Sequence, residues 1–200
     1  MEKIARILSA VTTPFLIPAG TFILLFGFTY LNIMPLAYKL AVLGIVCSFT
    51  LLIPALFISI YKKLSGRASQ ESSERKQRFV PYLLTIMSYA TCLLTMQRMH
   101  FPHYLSAIIA ASLMCTVLCC LINIKWKVST HAAGCGILTG GLLSYSFLFY
   151  FNPVGWLCGF ILLSGAVGSA RIIVRQHTLS EVIAGFVTGM FCGITGILFI

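Results

Sequence analysis

Seven stretches of this chain stay apolar long enough to cross roughly 30 Å of hydrocarbon at about 1.5 Å per helical residue. They lie near residues 9–30, 37–60, 80–98, 103–123, 131–150, 154–173 and 179–200, and most are joined by short turns such as Phe101-Pro102 and Asn152-Pro153. The pattern predicts an all-α integral membrane protein, a bundle of six or seven transmembrane helices. The count turns on 80–98, whose Pro81, Ser88, Thr91, Thr95 and Gln97 suit either a full crossing or a partly interfacial helix. Lys3 and Arg6 precede the first stretch in the manner of a signal peptide. The apolar run continues well past Thr21 with no small-residue cleavage site, so it reads as a retained first span.

Composition removes the soluble alternatives. Of 200 residues, 59% are hydrophobic and 9% charged, and the mean hydropathy is +0.98. A soluble domain carries about a quarter of its residues charged, whereas a bilayer solvates apolar helices and penalises charge. Residues 1–200 therefore read as a single polytopic membrane domain. Eight cysteines lie almost wholly inside the apolar runs with no CxxC pair. They read as small hydrophobes, and neither a metal site nor a disulfide framework is expected. Small residues four apart, in the pairs Gly136/Gly140, Gly155/Gly159 and Gly185/Gly189, predict close helix contacts.

The charges are few and one-sided. Fourteen Lys and Arg face four acids, Glu2, Glu71, Glu74 and Glu181, for a net charge of +10. In a membrane protein this balance points to lipid headgroups and phosphate rather than nucleic acid. The basic loop 61–79 contains Lys62, Lys63, Arg67, Arg75, Lys76 and Arg78. Lys125, Lys127, Arg171 and Arg175 stand at span ends. With seven spans, these segments and the N-terminus share one side, which the positive-inside rule assigns to the cytoplasm.

Three clusters at that side have the composition of a reactive site: Arg75-Lys76-Gln77-Arg78-Phe79-Val80-Pro81, Lys127-Val128-Ser129-Thr130-His131, and Arg171 to Glu181. His177 and Glu181 are four apart, so one helical face brings the carboxylate to the imidazole. A carboxylate accepting one ring N–H fixes the tautomer and leaves the other nitrogen as nucleophile or base. Arg171, six residues before His177, reaches the same pocket across a tight turn, and its planar donors match phosphoryl oxygens. Ser129 precedes an apolar helix with His131 in its first turn, where free backbone N–H groups favour an anion. His100 and His103 sit in a turn on the opposite side and read as interfacial, and Trp126 reads as a headgroup anchor.

These clusters resemble the motifs of the type 2 phosphatidic acid phosphatase superfamily, written KxxxxxxRP, PSGH and SRxxxxxHxxxD. Ala170-Arg171, His177 and Glu181 keep the third spacing, with Ala for Ser and Glu for Asp. Val128-Ser129-Thr130-His131 keeps the Ser and His of the second. Arg78 and Pro81 approximate the first without adjacency or its Lys. The resemblance covers about residues 75–185. It implies His177 as the nucleophile oriented by Glu181, and His131 as the acid for the leaving group and later the base for water. Arg171, Arg78, a neighbouring cation (Arg75 or Lys76) and Ser129 would bind phosphate. The implied reaction is hydrolysis of a lipid phosphate monoester or diphosphate without metal or other cofactor. Candidate substrates are phosphatidic acid, phosphatidylglycerophosphate and isoprenyl diphosphates. The same site would serve a phosphotransferase to an alcohol, and intramembrane ionisable residues also mark transporters or a degenerate relative. Family sites usually face away from the cytoplasm, in conflict with the charge bias.

Overall fold

The computed structural model describes residues 15–28, 30–65 and 74–199, and every regular element among them is helical. In chain order these are α1 (Leu16–Phe28), a 3-10 turn (Tyr30–Ile33), α2 (Leu36–Cys47), a π turn (Ser48–Leu52) and α3 (Ile53–Ser65). Then follow α4 (Glu74–Arg98), α5 (His103–Asn123), α6 (Thr130–Phe149), α7 (Val154–Ile173) and α8 (Leu179–Leu198). Pro35, Pro102 and Pro153 stand immediately before α2, α5 and α7, where a missing N–H leaves no helical bond unmade.

Six helices among the described residues are long and apolar enough to cross a membrane, with α2 and α3 acting as one segment, Leu36–Tyr61. The chain is thus a multi-pass membrane protein. The expected first span near 9–30 is described only from residue 15, and there Leu16–Gly27 is apolar but shorter than the others. The segment expected to be either crossing or interfacial is a full-length helix, Phe79–Arg98. Its hydroxyls are spent on backbone carbonyls: Thr85 on Pro81 at 2.8 Å, Thr91 on Met87 at 3.0 Å, and Thr95 on Thr91 at 2.8 Å. Satisfied this way, they cost little in hydrocarbon.

The π turn has a local cause. Pro54 has no N–H, so the ladder loses a bond at this point. Ile53 N–H donates instead to Ser48 O, five residues back. Phe49 O takes its hydrogen bond from Ser88 Oγ of α4 at 2.5 Å.

Helices α5 and α6 are central, with 61% of each span buried, while α7, at 17%, presents most of its surface outward. The tightest pairing is α6 with α8, where glycines bring backbone against backbone. A Cβ built on Gly189 would lie 1.8 Å from Ala133 O, one on Gly136 2.2 Å from Phe186 O, and one on Gly140 2.3 Å from Met190 O. Without a hydrophobic drive between helices in lipid, such contacts hold a pair by van der Waals packing. Gly155 and Gly159 behave differently from the expectation. A Cβ on either meets nothing within 4 Å, so among the described residues that pair makes no close helix contact.

Candidate active site

The α6/α8 glycine contact has a consequence at the helix starts. Gly185 lets α8 press on the Ser129 carbonyl, which a Cβ would approach to 2.4 Å. Ser129 N–H donates to Glu181 O at 3.2 Å. The first turns of α6 and α8 are thereby locked side by side, with His131 on one and Glu181 on the other.

Helix α7 delivers Arg171 to the same place and then ends abruptly. Gln176 N–H donates to Arg171 O at 3.1 Å and Arg175 N–H to Ile172 O at 2.9 Å, the paired bonds of a Schellman motif. The motif needs a left-handed residue, and Arg175 takes it at φ 54°. The reversal folds Gln176 and His177 back beside Arg171, as the spacing predicts.

The resulting geometry joins four of the expected residues. His177 Nδ1 lies 2.7 Å from Glu181 Oε2, with the two side chains 10% and 14% exposed. Glu181 Oε2 also accepts Thr178 N–H at 3.3 Å as part of a capping box at the start of α8. A Glu at the third helical position is what this box requires, a local reason for Glu in place of Asp. Arg171 Nη2 lies 2.7 Å from His131 Nδ1, and Nη1 donates to Gln176 Oε1 at 2.5 Å. A guanidinium only donates, so His131 accepts through Nδ1 and carries its proton on Nε2.

Burial, the largest effect, pushes the His177 pKa below its ordinary 6.5; the Glu181 bond and charge oppose this, while the charges of Lys127 and Arg171 add to it. His177 is thus neutral at pH 7, with Nδ1–H on the carboxylate and a lone pair on Nε2.

Both histidines border a cavity of about 480 Å³ lined by α1, α4, α5 and α6. Lys127 joins them at its polar end and also ties the two loops together, Nζ donating to Gln176 O at 2.6 Å. Lys127 belongs to the second sequence cluster yet has no place in the family motif, so only the fold shows it at the site. The wall contributed by Ile17 and Pro18 of α1 carries no sequence signal of chemistry. Gly134 admits it: a Cβ there would lie 1.8 Å from Ile17 Cδ1.

Ser129 is not among the residues that line this cavity. It is fully buried, and its Oγ accepts Ala132 N–H at 3.4 Å as the N-cap of α6; Thr130 and His131 line the cavity instead. Arg75, Lys76 and Arg78 lie in the first two turns of α4, ahead of Pro81 and Tyr82 on the cavity wall. Their side chains fall outside the described residues. His100, in the α4–α5 turn, and His103, the first residue of α5, lie at the far end, as expected. There Tyr145 of α6 donates its hydroxyl to Tyr104 O.

Fold and site define an all-helical, multi-pass membrane protein with paired His/Glu and His/Arg groups at a cavity between its helices. Compared with protein-family models, with curated proteins and with solved structures, the chain matches none.

Proposed function

We propose that this protein is a membrane-embedded lipid phosphatase, a divergent member of the type 2 phosphatidic acid phosphatase superfamily, working through a phosphohistidine. The observation that carries the reading is the convergence of the His177–Glu181 and Arg171–His131 pairs, each at 2.7 Å, at the polar end of one cavity. Lipid phosphate in the bilayer supplies substrate directly to such a site.

The chemistry follows from the protonation states. Phosphate draws the guanidinium of Arg171 away from His131, whose freed Nδ1 takes a second proton from solvent. His177 Nε2 then bonds to phosphorus as the ester P–O bond breaks. The lipid alkoxide leaves with the electron pair and takes the Nε2 proton of His131. Glu181 holds Nδ1–H of the phosphorylated imidazole and balances its charge. In the second half His131 removes a proton from water. The resulting oxygen bonds to phosphorus, the P–N pair returns to His177, and inorganic phosphate leaves. Arg171 and Lys127 stabilise charge on the phosphoryl oxygens throughout.

The deciding experiment incubates purified protein in EDTA with phosphatidic acid, phosphatidylglycerophosphate and isoprenyl diphosphate, alongside His177→Ala and His131→Ala. Phosphate release by wild type alone supports the reading. Equal inactivity of all three proteins on every substrate removes it, unless labelled phosphate passes to an added alcohol, which makes the protein a phosphotransferase. The charge bias of the site end favours the cytoplasmic face. Labelling a cysteine placed at Ser69 in intact and opened cells tests that: protection in intact cells supports it, and labelling there reverses it.

A further inference from the structure

The cavity below the two histidines has roughly the dimensions of one hydrocarbon chain. Its α5 wall runs from Asn123, beside the polar end, to Ser112, eleven residues deeper. At about 1.5 Å per residue that is a depth of roughly 16 Å, about half the roughly 30 Å hydrocarbon core and so the reach of one chain in one leaflet. At about 30 Å³ per water-sized group, a volume of about 480 Å³ holds roughly sixteen such groups. A diacyl lipid needs about twice that.

The Ser and Thr positions of the wall are apolar in effect. Ser112 Oγ donates to Ile108 O at 2.8 Å, Thr116 Oγ1 to Ser112 O at 2.7 Å, and Thr85 Oγ1 to Pro81 O at 2.8 Å. Each hydroxyl is spent on its own helix, so these side chains offer a ligand little but carbon. Cys115 and Cys119 add two soft, weakly polar thiols to the same wall. Apart from these groups and the hydroxyls of Tyr82 and Tyr89 on the α4 wall, the polar groups that line the cavity gather at the end with Asn123, Lys127, Thr130, His131 and His177.

We infer that the substrate is a single-chain lipid phosphate, with Ser112 and Thr116 setting the longest chain accepted. This rests on the phosphatase reading and adds to it the number and length of the chains. Thr116 stands one helical turn nearer the polar end than Ser112, so a larger side chain there shortens the cavity more.

The test measures phosphate release from n-alkyl phosphates, butyl to octadecyl, and from phosphatidic acid, in mixed micelles. Binding of the matching non-hydrolysable alkylphosphonates is measured beside it. For wild type, kcat/KM and affinity rise with chain length to a break point and then level, and phosphatidic acid is at least about tenfold poorer than its single-chain counterpart. Ser112→Leu moves the break point to shorter chains and Thr116→Leu moves it further, while butyl phosphate is handled as in wild type, which also shows both variants folded. Equal use of phosphatidic acid, or a break point unmoved in both variants, overturns the inference. Phosphate release from no substrate removes the phosphatase reading instead, and the phosphonate affinities then still report whether the cavity measures chain length.

Discussion

Arg171 holds His131 in one protonation state: its Nη2 lies 2.7 Å from His131 Nδ1, and a donor at that position excludes a proton on the same nitrogen. The neutral ring is a poor acid for an alkoxide leaving group. An arriving phosphate competes for the guanidinium through stronger, charge-assisted bonds, so substrate binding and proton uptake at His131 are linked. Calorimetry of orthophosphate binding in buffers of different ionisation heat will show a greater proton uptake for wild type than for His131→Gln. Equal uptake by the two proteins sinks the linkage. Arg171→Lys, which cannot fork between His131, Gln176 and phosphate, is expected to lower kcat by about a hundredfold or more.

The pH profile of kcat/KM reports the nucleophile in the free enzyme. His177 reacts when neutral, and burial holds its pKa below 6.5, so activity lost on acidification falls through a midpoint below that value. Glu181 raises this pKa and Lys127 lowers it. Glu181→Gln therefore moves the midpoint to lower pH while reducing kcat, and Lys127→Met moves it to higher pH. Because substrate titration is common to all three proteins, the differences between them carry the information. Shifts of the same sign in both variants would count against His177 as the titrating group.

Much of this was readable before folding, for reasons that particular residues make plain. Span positions followed from length and hydropathy, which depend on composition alone. The His177–Glu181 pair followed from a spacing of four, and the return of Arg171 from a six-residue separation that one Schellman turn spans. Lys127 stands in the second basic cluster but has no role in the motif, because its bond across the site depends on two loops meeting 49 residues apart in sequence. Ser129 looked like a ligand from its neighbour His131. The direction of its hydroxyl is set by the first turn of α6, where capping N–H groups and binding an anion call on the same residue type. The Gly155/Gly159 pair matched Gly185/Gly189 in pattern, but only a neighbouring helix makes such a pair a contact.

That difference is measurable. Gly189→Ala drives a methyl into the Ala133 carbonyl, 1.8 Å from an ideal Cβ, and the α6 and α8 backbones have no side-chain slack with which to yield. Overpacking of this kind costs typically 1–3 kcal/mol, and it also shifts His131 against Glu181. Thermal unfolding in detergent is expected to show a clear loss of stability together with reduced turnover. Gly155→Ala and Gly159→Ala, whose Cβ positions are open, are expected to leave both unchanged. Equal effects at the three positions would mean that α7 is packed as tightly as α8.

Ser129 separates a structural from a chemical role at one atom. As the N-cap of α6 its Oγ accepts Ala132 N–H at 3.4 Å from a fully buried position, and losing a cap costs about 1 kcal/mol. Ser129→Ala is thus expected to lower stability by about that amount and to keep most of the wild-type kcat/KM. Ser129→Asp restores a capping acceptor but buries a carboxylate near the Arg171–His131 pair, so it tests the cap less cleanly and serves as the harsher variant. If Ser129→Ala instead keeps its stability and loses about a hundredfold in turnover, the hydroxyl reaches the phosphoryl group during the reaction. Its capping bond would then belong to the resting enzyme alone.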